Sequence, residues 1–279
     1  MNNKEVKIRA KDGYELSATL YEPIEEPVGF IQINSGTGIP QKFYRHFANY
    51  LTKKGYVTVT FDYRGIGKSK PATLKGFEAT NFQWGELDMT AILDWGIINY
   101  PTLEKTVIGH SMGGQLIGTM KNADKIDQTF LIASGTGFWK DMPKGRLKML
   151  MPFLWYAYIP FTTAFCGYGG AKKIKQGENL PKGVALQWRN WCINENYWES
   201  DFNTETNNNS FQKLTGSLKS ILFQDDKIIS EKANRKLLRY YENASIENIS
   251  LSPNEMGLES VGHFGFFSSK FEKLWLLIA

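Results

Sequence analysis

Three times between Val28 and Met120, a β-branched or aromatic run gives way to a glycine-bearing loop and then to apolar residues at helical spacing. Val28 to Ile33, bounded by Pro27 and Ser35-Gly36, leads to Phe43, Phe47 and Leu51, a helix that Gly55 closes. Tyr56 to Phe61 leads through Asp62-Tyr63-Arg64-Gly65-Ile66-Gly67 to Leu87, Ala91 and Trp95, a helix stopped by Pro101. Thr106 to Ile108 enters Gly109-His110-Ser111-Met112-Gly113-Gly114 and a helix carrying Leu116 and Met120. That rhythm is the rhythm of βαβ crossovers, and it predicts a parallel sheet with helices on both faces. Ahead of it, Val6, Ile8 and Ala10, a turn at Asp12-Gly13, then Leu16, Ala18 and Leu20 read as a hairpin. The pattern resumes with strands at Ile126 to Ala133 and Leu218 to Phe223 and a helix through Ala233, Leu237, Leu238 and Tyr241. A strand at Ile246 to Leu251 and a terminal helix holding Phe267, Phe271 and Leu274 complete it.

Between Gly137 and Gly216 the period breaks into segments containing Trp139, Trp155, Trp188, Trp191 and Trp198, ending in the polar tract Asn203 to Ser210. The expected organisation is a core of residues 1–137 and 216–279 with an inserted cap at 138–215. So many rings exceed what a solvated loop exposes, so Phe153, Trp155, Phe161 and Trp188 are expected to wall a substrate pocket. Met149 to Phe165 carries no charge and follows Lys144, Arg146 and Lys148. It is shorter than the roughly 20 apolar residues of a spanning helix and is broken by Pro152 and Pro160, so a weak contact with a membrane surface is the most it predicts. A net charge of +5 from 33 bases and 28 acids is too mild and mixed for nucleic acid, which is set aside as a partner. Cys166 and Cys192 form no C-x-x-C pair and have no histidine at ligand spacing, so two buried, reduced thiols are expected, with no metal and no cofactor. The charged N-terminal residues Lys4, Glu5 and Lys7 stand where a signal peptide would be apolar, which predicts a cytoplasmic location.

The chemistry is read from Gly109 to Gly114. A strand running into G-x-S-x-G and then a helix is the setting of a nucleophile elbow, with Gly109 and Gly113 small enough to let its two arms pass. Ser111 is the candidate nucleophile, and the Met112 N–H is placed to donate to an oxyanion. A serine hydroxyl needs a base, and the chain has 3 histidines. His46 lies within the helix between Phe43 and Phe47, and His110 adjoins the serine on the side that points away. His263 remains, between Gly262 and Phe264-Gly265 after the last strand, where the chain order Ser, Asp, His puts the base. The acid should follow the strand Leu218 to Phe223, where Asp225 and Asp226 stand side by side.

These features resemble the α/β-hydrolase superfamily over almost the whole chain, above all its serine hydrolases of the esterase, lipase and serine aminopeptidase kind. The elbow, the D-x-R-G-x-G loop at Asp62 to Gly67 and Gly262 to Phe264 carry the resemblance, and Gly36 to Arg45 is similar to a bacterial branch of predicted hydrolases. It implies an α/β-hydrolase fold: a mostly parallel, eight-stranded sheet flanked by helices, with an inserted cap. Asp226-Lys227-Ile228-Ile229-Ser230 is similar to the family's D-x-x-(V/I)-P turn, which selects Asp226 as the acid that orients His263. Ser35-Gly36 stands where a His-Gly pair precedes the second oxyanion donor, which implies Thr37, or else Gly38. The implied activity is hydrolysis of a small-molecule ester or related acyl substrate, hydrophobic in character, through an acyl-enzyme. Aminopeptidase or acyltransferase chemistry on the same triad, or ligand binding with little turnover, are the alternatives.

Overall fold

The computed structural model describes residues 2–174, 177–202 and 210–279. Eight strands form one sheet: β1 (Asn2–Arg9), β2 (Glu15–Glu22), β3 (Gly29–Asn34), β4 (Tyr56–Phe61), β5 (Lys105–His110), β6 (Gln128–Ile132), β7 (Ser217–Phe223) and β8 (Ser245–Leu251). Their spatial order is β1-β2-β4-β3-β5-β6-β7-β8. β2 pairs antiparallel with both β1 and β4, and every pairing from β4 to β8 is parallel. The mostly parallel, eight-stranded sheet of the α/β-hydrolase fold is therefore present.

β3 and β5, at the centre, are buried at every position, as strands covered on both faces must be. Successive side chains alternate between the faces. Phe30 and Val107 join one core with Trp84, Ile92 and Leu116, while Ile31, Ile33 and Ile108 join a second with Phe47, Phe266 and Trp275. The helix Arg45–Lys53 covers the second face through Phe47 and Leu51, with Phe43 left on a preceding 3₁₀ turn, Gln41–Tyr44, and partly exposed.

Four local expectations are corrected. The helix expected to bury Leu87, Ala91 and Trp95 runs through Asn81–Gln83, a π-helical turn at Trp84–Met89, and Thr90–Asn99. The wider turn resets the helical phase. Ala91 is buried as expected, but it is joined by Trp84, Gly85, Asp88, Met89, Ile92, Leu93 and Gly96, and Leu87 and Trp95 are only half-buried. The helix after the elbow is a single α-turn, Met112–Gln115, continued as 3₁₀ over Leu116–Thr119. The terminal segment is also 3₁₀, Ser269–Leu277, broken at Phe271 (φ −114°, ψ 29°) while Phe271, Leu274 and Trp275 are all buried. In both places burial of specific rings and apolar side chains overrides the α-helical period. Cys192 is buried as expected, but Cys166 is half-buried because it sits just past the end of a surface helix.

Between β6 and β7 the chain forms helices at Arg146–Phe153, Ile159–Phe165 and Lys182–Ile193 and a small antiparallel pair, Tyr168–Gly169 with Leu180–Pro181. A π-helical turn, Leu154–Tyr158, joins the first two helices into one. Trp191 and Trp198 are fully buried in the same core as Trp84. Asn81 ties the two parts together: its backbone N–H donates to Gln187 Oε1 at 2.7 Å and its side chain to the Val184 carbonyl at 3.0 Å. The tract Asn203 to Ser210 lies, except for Ser210, outside the described residues. Among the described residues no helix is long and apolar enough to cross a membrane.

Candidate active site

β5 ends at His110 and the helix starts at Met112, so the reversal falls on one residue. Ser111 takes φ 53° and ψ −118°. For a residue with a Cβ such a conformation costs on the order of 1–3 kcal/mol and persists only where the surroundings enforce it. They do so by crowding. A Cβ on Gly109 would lie 2.3 Å from the Gly114 Cα, and one on Gly113 would lie 2.3 Å from the Asn34 carbonyl oxygen at the end of β3. The Ser111 carbonyl is held by N–H donors from Gly114 at 3.0 Å and Gln115 at 3.1 Å and by the Ser134 hydroxyl at 3.0 Å. The Met112 N–H, first in the helix, has no intrahelical acceptor and is free for a ligand.

Asp226 sits on the turn that leaves β7, its N–H bonded to the Phe223 carbonyl at 2.9 Å. Its Oδ1 accepts from the Ile228 N–H at 2.7 Å and the Ile229 N–H at 3.1 Å. That leaves Oδ2 for His263 Nδ1, 2.8 Å away, with both residues buried. A carboxylate oxygen can only accept here, so Nδ1 carries the hydrogen and Nε2 presents its lone pair. Asp225 points elsewhere. It accepts from the Ser260 hydroxyl at 2.6 Å and from the N–H groups of Val261 and Gly262, each at 2.9 Å. Burial would raise its pKa, but the bonds from Ser260, Gly262 and Val261 outweigh burial and hold it below the usual carboxylate range. The two adjacent acids thus divide the work: one holds the imidazole, the other holds the loop that delivers it.

Sequence reasoning set His110 aside as a packing residue, and the structure gives it a polar role. It is fully buried, with Nε2 2.9 Å from the His263 carbonyl and Nδ1 2.8 Å from the Tyr44 hydroxyl. A carbonyl only accepts, so Nε2 bears the proton, Nδ1 accepts from Tyr44, and the Tyr44 oxygen accepts from the Gly36 N–H at 2.9 Å. Burial, helped by the nearby His263, pushes the His110 pKa down to about 3, so the ring is neutral and this polarity is fixed. Beneath Ser111 a chain of bonds therefore links the loop of Gly36 and Thr37 to the backbone of His263. No periodicity marks Tyr44 or His110 as partners, because they meet only through the fold. Tyr44→Phe strands two buried polar groups, the Gly36 N–H and His110 Nδ1. It is expected to cost about 1–3 kcal/mol in urea denaturation, and an unchanged midpoint would show that the chain bears no load.

Above the elbow opens a cavity of about 330 Å³. Thr37, Ser111 and Met112 line it together, as do Phe153, Trp155 and Trp188. Trp155 and Trp188 meet edge to face at 5.1 Å. Phe161 is corrected: it does not line the cavity but lies on the outer side of its helix, 59% exposed, against Phe165. Gly38, the alternative to Thr37, is not part of the cavity lining; it has φ +67°, and its carbonyl accepts from the Glu178 N–H at 2.8 Å. The sequence reading missed Gln115, whose side chain accepts from the Tyr197 hydroxyl at 2.7 Å, and Ile228 and Ile229, which the Asp226 turn delivers to the cavity wall. Their place next to the chosen acid was the available signal. Among the described residues the lining contains no charged side chain.

Residues 25–163, about half the chain, match the family model of the serine aminopeptidases, S33. No curated protein sequence matches the chain significantly. Among solved structures it is similar to an esterase of Pyrococcus furiosus, with a TM-score of 0.64 at 17% identity, covering 99% of this chain and 89% of that one. It is likewise similar to the esterase domain of a Rhodothermus marinus protein, with a TM-score of 0.59 at 16% identity over 99% and 95% of the two chains. A carboxyl esterase of Bacillus coagulans gives a TM-score of 0.56 at 16% identity over 90% of each. A fold shared along nearly the full length of such proteins, together with the family-model match, makes the chain a member of the α/β-hydrolase superfamily.

Proposed function

We propose that the protein is a serine hydrolase that cleaves carboxylic esters of hydrophobic acids. One observation carries the reading: a serine held in a strained turn opens onto an uncharged, largely apolar cavity, and the residue before it, His110, bonds the backbone of His263, whose ring is held by Asp226 through Nδ1 so that Nε2 is left to accept a proton. His263 Nε2 takes the Ser111 proton as the oxygen attacks the ester carbonyl, and Asp226 stabilises the resulting imidazolium. The Met112 and Thr37 N–H groups receive the oxyanion. Collapse returns that proton to the leaving alcohol, and water then releases the acid from the acyl-enzyme by the same route. Residues 138–215 act as the cap, which supplies most of the apolar wall.

The lining also separates this reading from an aminopeptidase. A substrate with a free amino terminus carries a positive charge into the site, and burying it without a carboxylate is costly. Among the described residues the cavity offers none. For p-nitrophenyl esters, kcat/KM is expected to climb from acetate through the medium-chain acids, by up to about 1–3 kcal/mol per well-buried methylene until the cavity fills. Aminoacyl p-nitroanilides should turn over poorly. A monotonic fall from acetate, or preference for the anilides, would overturn the assignment.

A further inference from the structure

The long helix of the cap is apolar on both sides. Its inner side buries Met151, Trp155, Ile159, Thr162 and Thr163. Its outer side exposes Met149 by 79%, Phe153 by 64%, Phe161 by 59% and Phe165 by 75%, with Tyr156 beside them at 55%. Met149, Phe153, Phe161 and Phe165 stand at multiples of four, a spacing that drifts about 40° per step around a regular α-helix. The π-helical turn at Leu154–Tyr158 takes up part of that drift, because its turns hold more residues, and so helps keep Met149 and Phe165 on one stripe. A surface helix of a globular protein carries polar residues on that side. Here nothing within the described chain covers it.

Two observations indicate what does. First, the stripe is set among positive charge: no acidic residue occurs between Met142 and Gly177, whereas Lys144, Arg146, Lys172 and Lys173 are exposed there. The Arg189 guanidinium lies 5.8 Å from the Tyr156 ring centre at the same face. Second, the stripe is continuous with the cavity, because Leu150, Phe153 and Ile174 are exposed and also line it. A second copy of the chain fits this face badly, since a two-fold contact would set one basic rim against another.

We propose that this face docks on an anionic lipid surface, with the stripe sunk among the acyl chains and the lysines and arginines at the headgroups. That is how a helix apolar on one side and basic at its edges lies in a membrane interface. The docked orientation turns the cavity mouth toward the lipid, so an acyl chain passes into it without crossing water. Docking is separate from catalysis and stands whether or not Ser111 is the nucleophile.

The test is co-sedimentation of the full chain, and of its Ser111→Ala form, with vesicles of phosphatidylcholine alone or with about a quarter phosphatidylglycerol. Both forms are expected to bind the anionic vesicles, and added salt should weaken binding as it screens the lysines. Binding should fall by roughly tenfold in the double variant Met149→Ser with Phe165→Ser. It should fall similarly in Lys172→Glu with Lys173→Glu. Neither pair lines the cavity, so turnover of a soluble p-nitrophenyl ester without vesicles should be unchanged in both variants, which also shows that they fold. Failure to sediment with anionic vesicles, equal binding to neutral ones, or undiminished binding by either variant would overturn the proposal. So would a dimer in solution that the Met149/Phe165 variant dissociates, since a second copy would then own the face.

Discussion

Replacing Ser111 with alanine is expected to lower kcat on p-nitrophenyl esters by about 10⁵-fold or more and to abolish covalent labelling by a fluorophosphonate. Removing the nucleophile of a unit that works together costs nearly as much as removing the whole unit, and what survives comes from oxyanion donors and binding alone. His263→Ala should fall as far, for the same reason. His46→Ala should keep most activity, because His46 lies exposed on the helix Arg45–Lys53, on the solvent side away from Phe47. The strain adds a second readout. At φ 53° a Cβ is unfavourable, so Ser111→Gly should be as inactive as the alanine form yet more stable, by about 1 kcal/mol. Labelling at any residue other than Ser111 in the native chain, or near-native turnover in the alanine form, would remove the serine from the mechanism. A glycine form no more stable than the alanine form would mean that the turn is not strained.

The parts of this molecule that were legible in the sequence are those where one local rule acts alone. β3 and β5 are short β-branched runs that end in glycine loops, and they lie at the centre of the sheet as such runs do in parallel folds. The elbow was legible because steric crowding admits only glycine at positions 109 and 113, which leaves a signature in the letters themselves. Illegible were features set by contacts distant in the chain. The π-helical turn at Trp84–Met89 brings Asp88 under Arg64, whose N–H and Nε bond its two oxygens at 2.9 and 2.7 Å, and Asp12 closes on the same guanidinium from the opening hairpin. Nothing near Leu87 announces a partner more than twenty residues away. Phe161 fell on the wrong side for a similar reason. A helix apolar all round has no polar face to say which side is out, so composition could not separate its cavity wall from its exposed stripe. Trp191 and Trp198 could not be divided from Trp155 and Trp188 by type either, although all but the half-buried Trp188 are buried in one core and only Trp155 and Trp188 also line the cavity.

Asp225 and Asp226 give the second large effect, and the geometry makes their asparagine variants differ in kind. In Asp226→Asn the side-chain oxygen stays with its two donors, the Ile228 and Ile229 N–H groups, because only an oxygen can accept them. The amide nitrogen is then forced into the place of Oδ2, facing His263 Nδ1. It donates where the carboxylate accepted, so the imidazole proton moves to Nε2 and the base has no lone pair for Ser111. A loss of about 10⁴-fold in kcat at neutral pH is expected, with little change in KM. In Asp225→Asn the imidazole keeps its partner. What is lost is an acceptor for the Ser260 hydroxyl and the Val261 and Gly262 N–H groups, so the His263 loop loosens. The expected result is a stability loss of about 1 kcal/mol, read by urea denaturation, because the part-buried Val261 and Gly262 N–H groups are left poorly paired while the exposed Ser260 hydroxyl can turn to water. A kcat within about tenfold of native should accompany it, because the base and its orienting acid both remain. Measuring kcat and unfolding midpoint for both variants separates the roles. If Asp225→Asn were the inactive one and Asp226→Asn the merely unstable one, the acid would be Asp225 and the 2.8 Å contact to His263 would have to be read as structural.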